Sequence, residues 1–348
     1  MRVKQTILII FLFTTIGSFA QAPEDRTEWI PLFENRLPSR FFTFKTNYNF
    51  QYSINSKSDI EQIGNGSAEV SGNRNASLDL KFPILNKTNV ILSGSIKYSD
   101  EQFYFEKHNP ATYPLYVSLN DRNLKNLGGD INGLFHHKNN KSFLLRSSIY
   151  LAGDFYRSDD SFSTGKLLKF SLALGYGIKK DVNTFYAYGI YAGYTFGRPS
   201  IYPALVYSKR MNHNIGLDAT LPQSVKIWKK FSDNTFIYAR SAVSGNSYTV
   251  RLQGSVLKEF DSLQLRQSNL NSSVGIMQKL GKWIWLEGNL GYTHYFSFNI
   301  SESNFKHNYT IPRPNSTYLI ESDVSGSPFA SISLFLAPPK ELLNKFLR

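Results

Sequence analysis

Nine ionisable side chains, Lys45, Glu69, Asp79, Lys97, Asp130, Arg146, Asp154, Lys169 and Glu287, alternate with apolar neighbours along the sequence. In an extended chain successive side chains point to opposite faces, so these charges share a polar face turned away from a greasy one. On the inner face of a barrel, charges of both signs can line a narrow water path for a solute. They can also pair off into a network that fills the interior. The mixed signs lean toward the network, while the path predicts ion conductance. All nine are candidate lumen-lining residues.

Other chemistry is sparse. His108, His136, His137, His213 and His307 fall in polar connections with no carboxylate–histidine spacing of the kind a metal site uses. His294 shares parity with Tyr292, Phe296 and Phe298, which places it on the lipid face. A lipid-hydrolysing enzyme would need a serine partner there, and no such motif accompanies it. The chain has no cysteine, which excludes disulfides and thiol nucleophiles. No catalytic, cofactor-binding or metal residue is expected, and no cofactor.

The elements that would position the charges are strands. Over residues 42–53, Phe42, Phe44, Tyr48, Phe50 and Tyr52 take even positions, while Lys45, Asn47, Asn49 and Gln51 take odd ones. A soluble sandwich would pack Val, Ile and Leu there; a row of rings suits a face that meets lipid and headgroups. The pattern recurs. Val70, Ala76, Leu78, Leu80 and Phe82 stand in phase, then Val90, Leu92, Ile96 and Tyr98, then Leu127, Ile131 and Phe135. It continues through Leu145, Ile149 and Leu151, through Phe170, Leu172 and Leu174, and through Tyr186, Tyr188 and Ile190. Residues 201–231 hold shorter pieces broken by Pro203 and Pro222, read as a short central hairpin at an edge or bulge. Leu270, Val274 and Ile276 align, with Leu263 and Leu265 on the opposite parity, so the strand begins after them or a bulge intervenes. Ile284 to Phe298 and Ala330 to Leu336 complete the series.

Residues 1–20 read as a secretory leader, with Arg2 and Lys4, an apolar run and a Ser18-Phe19-Ala20 cleavage signal. Residues 21–40 are a lead-in or small plug, 41–337 the barrel, and 338–348 a periplasmic tail. Beyond the leader no apolar run is long enough for a transmembrane helix, but strands that close into a barrel also span membranes. The 27 Phe and 21 Tyr fit that reading. Net charge is +13, and loss of Arg2 and Lys4 with the leader leaves +11. The bases are scattered rather than striped, so nucleic acid is not expected as a partner; outer-membrane lipids, including lipopolysaccharide, are, together with a small solute.

Connections alternate short and long, as in outer-membrane barrels. Short ones lie near residues 85–88, 137–141, 180–183, 212–214, 232–234 and 281; long ones span 54–66, 104–123, 157–165, 245–261 and 299–326. The expected fold is all-β, an antiparallel transmembrane up-and-down barrel of 12 strands, or 14 if the short central hairpin counts.

The stretch GRPSIYPALVYSKRMNHNIGLDATLPQSVKIWKKFSDNTFIYARSAVSGNSY, residues 197–248, resembles an uncharacterised outer-membrane β-barrel family of Bacteroidota. A tyrosine-rich strand, a Gly-Pro loop, a Leu-Pro corner and a final Gly-x-Ser-Tyr carry the likeness. It implies a barrel in the cell outer membrane and no activity. The expected role is passage or binding of small solutes or lipids. A surface-interaction barrel with a closed lumen and a lipid-modifying enzyme stand as alternatives.

Overall fold

The structure, a computed structural model, describes residues 37–87, 89–137, 139–155, 164–252, 263–302 and 318–338. The expected leader, residues 21–36 of the lead-in and residues 339–348 of the tail lie outside the described residues. In order the elements are β1 (Phe42–Asn49), β2 (Tyr52–Lys57), β3 (Gly66–Lys87), β4 (Val90–Asn109), α1 (Pro114–Asp121), β5 (Leu124–His137) and β6 (Lys141–Gly153). Then come α2 (Thr164–Leu167), β7 (Leu168–Asp181), β8 (Thr184–Gly193), β9 (Ser200–Arg210), β10 (Ile215–Leu221), β11 (Ser224–Ser232) and β12 (Thr235–Val250). The last are β13 (Leu263–Lys279), β14 (Ile284–Glu302), β15 (Glu321–Val324) and β16 (Ser327–Leu336).

Each strand pairs antiparallel with its neighbours, and β1 bonds both β16 and β3, so the sheet closes. Closure leaves no free edge for a membrane interior to leave unpaired. β2 and β15 continue the first and last staves beyond breaks at 50–51 and 325–326 and pair with each other. The wall is thus an antiparallel closed barrel of 14 strands. The central hairpin belongs to it, because β10 and β11 form full ladders with β9 and β12. Pro203 interrupts nothing: β10 stops at Leu221 opposite Leu205, so that side of β9 is already unpaired where the proline lacks a donor.

A crossing strand needs about 9–11 residues. At 22 residues β3 is twice that, so it projects beyond the lipid at the end bearing the long connections, here the loop end. The chain enters and leaves at the opposite, turn end. Outside, apolar side chains run round the wall unpacked: Leu290 is 70 % exposed and faces Val274 across the ladder, itself 61 % exposed. Rows of large exposed apolar side chains of this extent are what a lipid-facing surface requires.

Alternation carries the expected outward residues until irregularities reverse it near the loop end. At the 50–51 break the aromatic row changes sides, so Tyr52 turns inward and is 4 % exposed, unlike Phe44, Tyr48 and Phe50. Register shifts in β3 between Glu69 and Gly72 send Val70 inside and Glu69 outside, opposite Lys107 and Ser53. A shift in β14 skips Phe296 and turns Phe298 inward. Leu263 and Leu265 need neither explanation expected of them: β13 begins at Leu263, keeps one parity, and simply points these two into the barrel.

Those inward residues build a core inside the loop-end mouth. Tyr52, Ile54, Val70, Phe103, Leu265, Phe298 and Ile300 from five strands enclose Tyr113, Leu115, Tyr116 and Leu119 of the connection that carries α1. A smaller core of Trp228, Phe236, Met277, Trp285 and Phe335 sits at the turn end, with Leu37 packed on it. Polar residues occupy the lumen between.

Candidate functional site

Between the two cores lies a cavity of about 380 Å³, bordered by Lys97, Asp130, Arg146, Tyr150, Tyr191 and Tyr194. Strand register assembles its charged wall: Ser95 on β4, Asp130 on β5 and Ser148 on β6 form one row across three strands. Asp130 accepts from Ser95 Oγ at 3.1 Å, from Arg146 at 3.3 Å and from the Lys97 ammonium. One carboxylate, 8 % exposed, therefore holds two cations that remain far more open to the cavity. Asp79 lies directly across the ladder from Lys97. Gly128 makes the aromatic wall possible, since a Cβ there would meet the Ile149 carbonyl and Tyr150 Cβ at 2.3 Å.

The β8–β9 connection, residues 194–199, folds across above the short β10–β11 hairpin. Gly197 has φ +73°, and a Cβ on Gly245 would lie 2.3 Å from Gly197 N, so the loop backbone rests directly on β12. Beside it β12 reaches β6 through a Thr249–Gly153 bridge. Lys169 donates to Gln264 Oε1 at 2.8 Å, Ser247 donates to the same oxygen at 2.7 Å, and Gln264 donates to Thr249 at 2.8 Å. Lys169, 6 % exposed, is thus held in this seam rather than in the cavity.

Toward the turn end a second charged group surrounds Glu287. Lys45, Ser333 and Glu287 lie in one row across β1, β16 and β14. Arg40 reaches into the mouth, 2.8 Å from Glu287, with its guanidinium 4.4 Å from the centroid of Phe335. The Tyr238 hydroxyl lies against Glu287 and Asn289. Lys226 sits 3.8 Å from the Tyr238 ring centroid.

The nine sequence candidates therefore separate. Lys97, Asp130 and Arg146 meet at the cavity with Asp79 beside them, and Lys45 and Glu287 share the turn-end group. Asp154 lies just past β6 at the loop-end mouth, accepting from the Arg251 backbone N–H at 2.9 Å. Burial pushes its carboxyl above the usual range, against that hydrogen bond and the nearby Arg122. Glu69 does not line the lumen: the β3 register shifts put it on the outside, where it is exposed. Sequence reasoning missed Arg40, Lys226 and Arg240. Lys226 alternates with Val225 and Ile227, a signal readable once the central hairpin counts as wall, and Arg240 alternates with Ile237 and Ala239 on the strand after it.

The loop-end core closes over all of this. Tyr116 Oη donates to Ser56 Oγ at 2.8 Å and lies 3.1 Å from the Gly66 carbonyl; its ring centroid is 4.7 Å from that of Tyr113. Burial pushes both phenols up to about 12, so they stay neutral donors at ordinary pH. His294 is exposed on the outer face, edge-on to Phe296 at 5.3 Å. Among the described residues no group of three or more His, Asp or Glu is placed to hold a metal ion.

No protein-family model matches the chain, and no curated protein matches it. Solved structures similar to it include a Pseudomonas aeruginosa FadL homologue, 8 % identical with TM-score 0.40, covering 85 % of this chain and 90 % of that one. The Pseudomonas putida toluene transporter TodX is 10 % identical with TM-score 0.32, covering 86 % and 90 %. The COG4313 outer membrane channel from Pseudomonas putida F1 is 10 % identical with TM-score 0.34, covering 89 % and 100 %. From likeness at this level nothing those proteins carry follows for this chain.

Proposed function

We propose that this chain is an integral, non-enzymatic β-barrel of a Gram-negative outer membrane that takes small solutes into its lumen and passes them when the loop-end core opens. The observation that carries the reading is a polar cavity enclosed by a closed wall whose outer face is apolar all round. The resemblance of residues 197–248 to an outer-membrane barrel family of Bacteroidota, and a leader for export, agree with it. So do the exposed rings of Phe44, Tyr48, Phe50, Tyr292 and Phe296, which suit contact with lipid and lipopolysaccharide.

The experiment is a swelling assay on liposomes carrying the refolded barrel, checked for folding by its heat-dependent gel mobility. Influx of small solutes above that of protein-free liposomes supports the reading; none, from a folded barrel whose loop-end core has been opened by Tyr116→Ala, removes passage. A closed-lumen surface-interaction barrel is the second reading, favoured by the loop-end core of Tyr52, Ile54, Tyr113, Leu115, Tyr116 and Phe298. It predicts that disrupting this core leaves influx at background.

A further inference from the structure

The turn-end half of the lumen holds more positive charge than its structure uses. Asp218, Lys226 and Arg240 form one row across β10, β11 and β12, which places Lys226 directly opposite Arg240 on the inner face. Like charges opposed across a ladder destabilise a sheet. The carboxylates nearest this pair, Asp218 and Glu287, attract Lys226 but are shared with other donors, so they relieve it only in part. Asp218 is engaged by Arg210 at 3.3 Å, by Trp228 Nε1 at 2.9 Å and by Ser208. Glu287 is engaged by Arg40 and Tyr238. Among the described residues Lys45, Lys226 and Arg240 have no carboxylate at ion-pair distance. Lys226 lies over the Tyr238 ring, while Arg240, one inward position beyond Tyr238, is exposed to the lumen. Lys45 faces Arg240 and Arg40 across the interior, and Lys226 feels the same two. Three cations from three strands thus converge on a water-accessible space beside a half-committed Glu287. The polar cavity adjoins it, since Ser77, across the ladder from Lys45, borders that cavity.

We propose that this half of the lumen is an anion site, with Lys45, Lys226 and Arg240 as its binding groups, and that the solutes this barrel takes are small anions bearing carboxylate or phosphate. The site stands on the geometry alone, and the statement about transported solutes rests on the passage reading above. Cations held on rigid strands around an enclosed space bind an anion without reorganising, and an anion between Lys226 and Arg240 relieves their repulsion. In a narrow pore the same charges favour anions over cations.

The test is equilibrium dialysis of the full-length refolded barrel in zwitterionic detergent against inorganic phosphate and succinate, with tetramethylammonium as the cationic control, at constant ionic strength. Saturable binding of at least one anion is expected, about one per barrel, with none of the cation. The double variant Lys226→Gln/Arg240→Gln should weaken binding at least tenfold. Lys230→Gln, which removes a cation paired with Asp233 at the turn end, should leave it unchanged. Removing two repelling charges does not threaten folding, and Arg240→Lys should retain most of the binding. No saturable anion binding by a folded barrel, or a double variant that binds as the parent does, overturns the proposal. Reversal potentials across a bilayer separate the two readings. Conductance without anion preference sinks the anion proposal and spares passage. Absence of conductance even from a folded barrel whose loop-end core has been opened by Tyr116→Ala sinks passage, while the dialysis still decides the site.

Discussion

Truncating Tyr116 to alanine removes the side chain that pins α1 into the barrel mouth. The ring is fully buried, lies 4.7 Å from Tyr113 and 5.5 Å from Phe105 by centroid, and its hydroxyl reaches Ser56 and the Gly66 carbonyl. Loss of a buried aromatic costs about 3–5 kcal/mol, of which the hydroxyl accounts for about 1 kcal/mol. The connection carrying α1 is joined to the wall only at the ends of β4 and β5, so this cost falls on its docking rather than on the barrel. At about 1.4 kcal/mol per tenfold, the undocked state becomes on the order of a hundred to several thousand times more populated. Hydrogen exchange of the peptide covering residues 110–123 reads this directly. Protection in Tyr116→Ala should fall by that factor, and in Tyr116→Phe by about fivefold, with the ladders of β3 and β4 unchanged. Unchanged protection at 110–123 in a folded Tyr116→Ala barrel would refute the claim that this ring holds the mouth shut.

Three further outcomes follow from the same geometry. Gly245→Ala places a methyl within 2.3 Å of Gly197 N, backbone against backbone, so the 194–199 loop must lift; we expect about 1–3 kcal/mol of destabilisation, read as an earlier loss of the folded band on heating. Glu287→Gln should destabilise the barrel more than Arg40→Gln does, because it removes the carboxylate that Arg40, Lys45 and Lys226 share and leaves near them only Asp218, already held by Arg210 and Trp228, and unfolding in denaturant checks the order. Burial raises the Asp154 carboxyl, so its contribution is fully present below the ordinary aspartate value of about 3.9 and is lost as pH rises through the higher folded value. Protection at the loop-end mouth should therefore decline from acid toward neutral pH in the parent, and Asp154→Asn should flatten that decline.

Period-two alternation made the fold legible, since twelve staves announce an apolar face toward lipid and only the short central hairpin left the count open between 12 and 14. What it could not reveal was where the wall changes hand. Tyr52, Val70 and Phe298 continue the outward parity on paper, yet a break or register shift of one residue turns each inward. A single skipped residue leaves no mark in composition. Leu263 and Leu265 did carry a mark, apolar residues on the polar parity at a loop-side strand end, and they point to the core that closes the mouth. The charged site was half legible for the same reason. Asp130, Lys97 and Arg146 lie on regular strands and fall together. Glu69 follows a register shift and falls outside, and Lys226 was hidden in a hairpin whose prolines made it look peripheral, while Arg240 lies just past it on a regular strand.

The central claim is that a lumen able to pass small solutes lies behind the loop-end core. Single-channel recording of the refolded parent and Tyr116→Ala barrels in planar bilayers tests it most directly. The account predicts low or rare conductance from the parent and frequent, larger steps from Tyr116→Ala. A folded Tyr116→Ala barrel whose 110–123 segment has lost protection and which still shows no steps would contradict it.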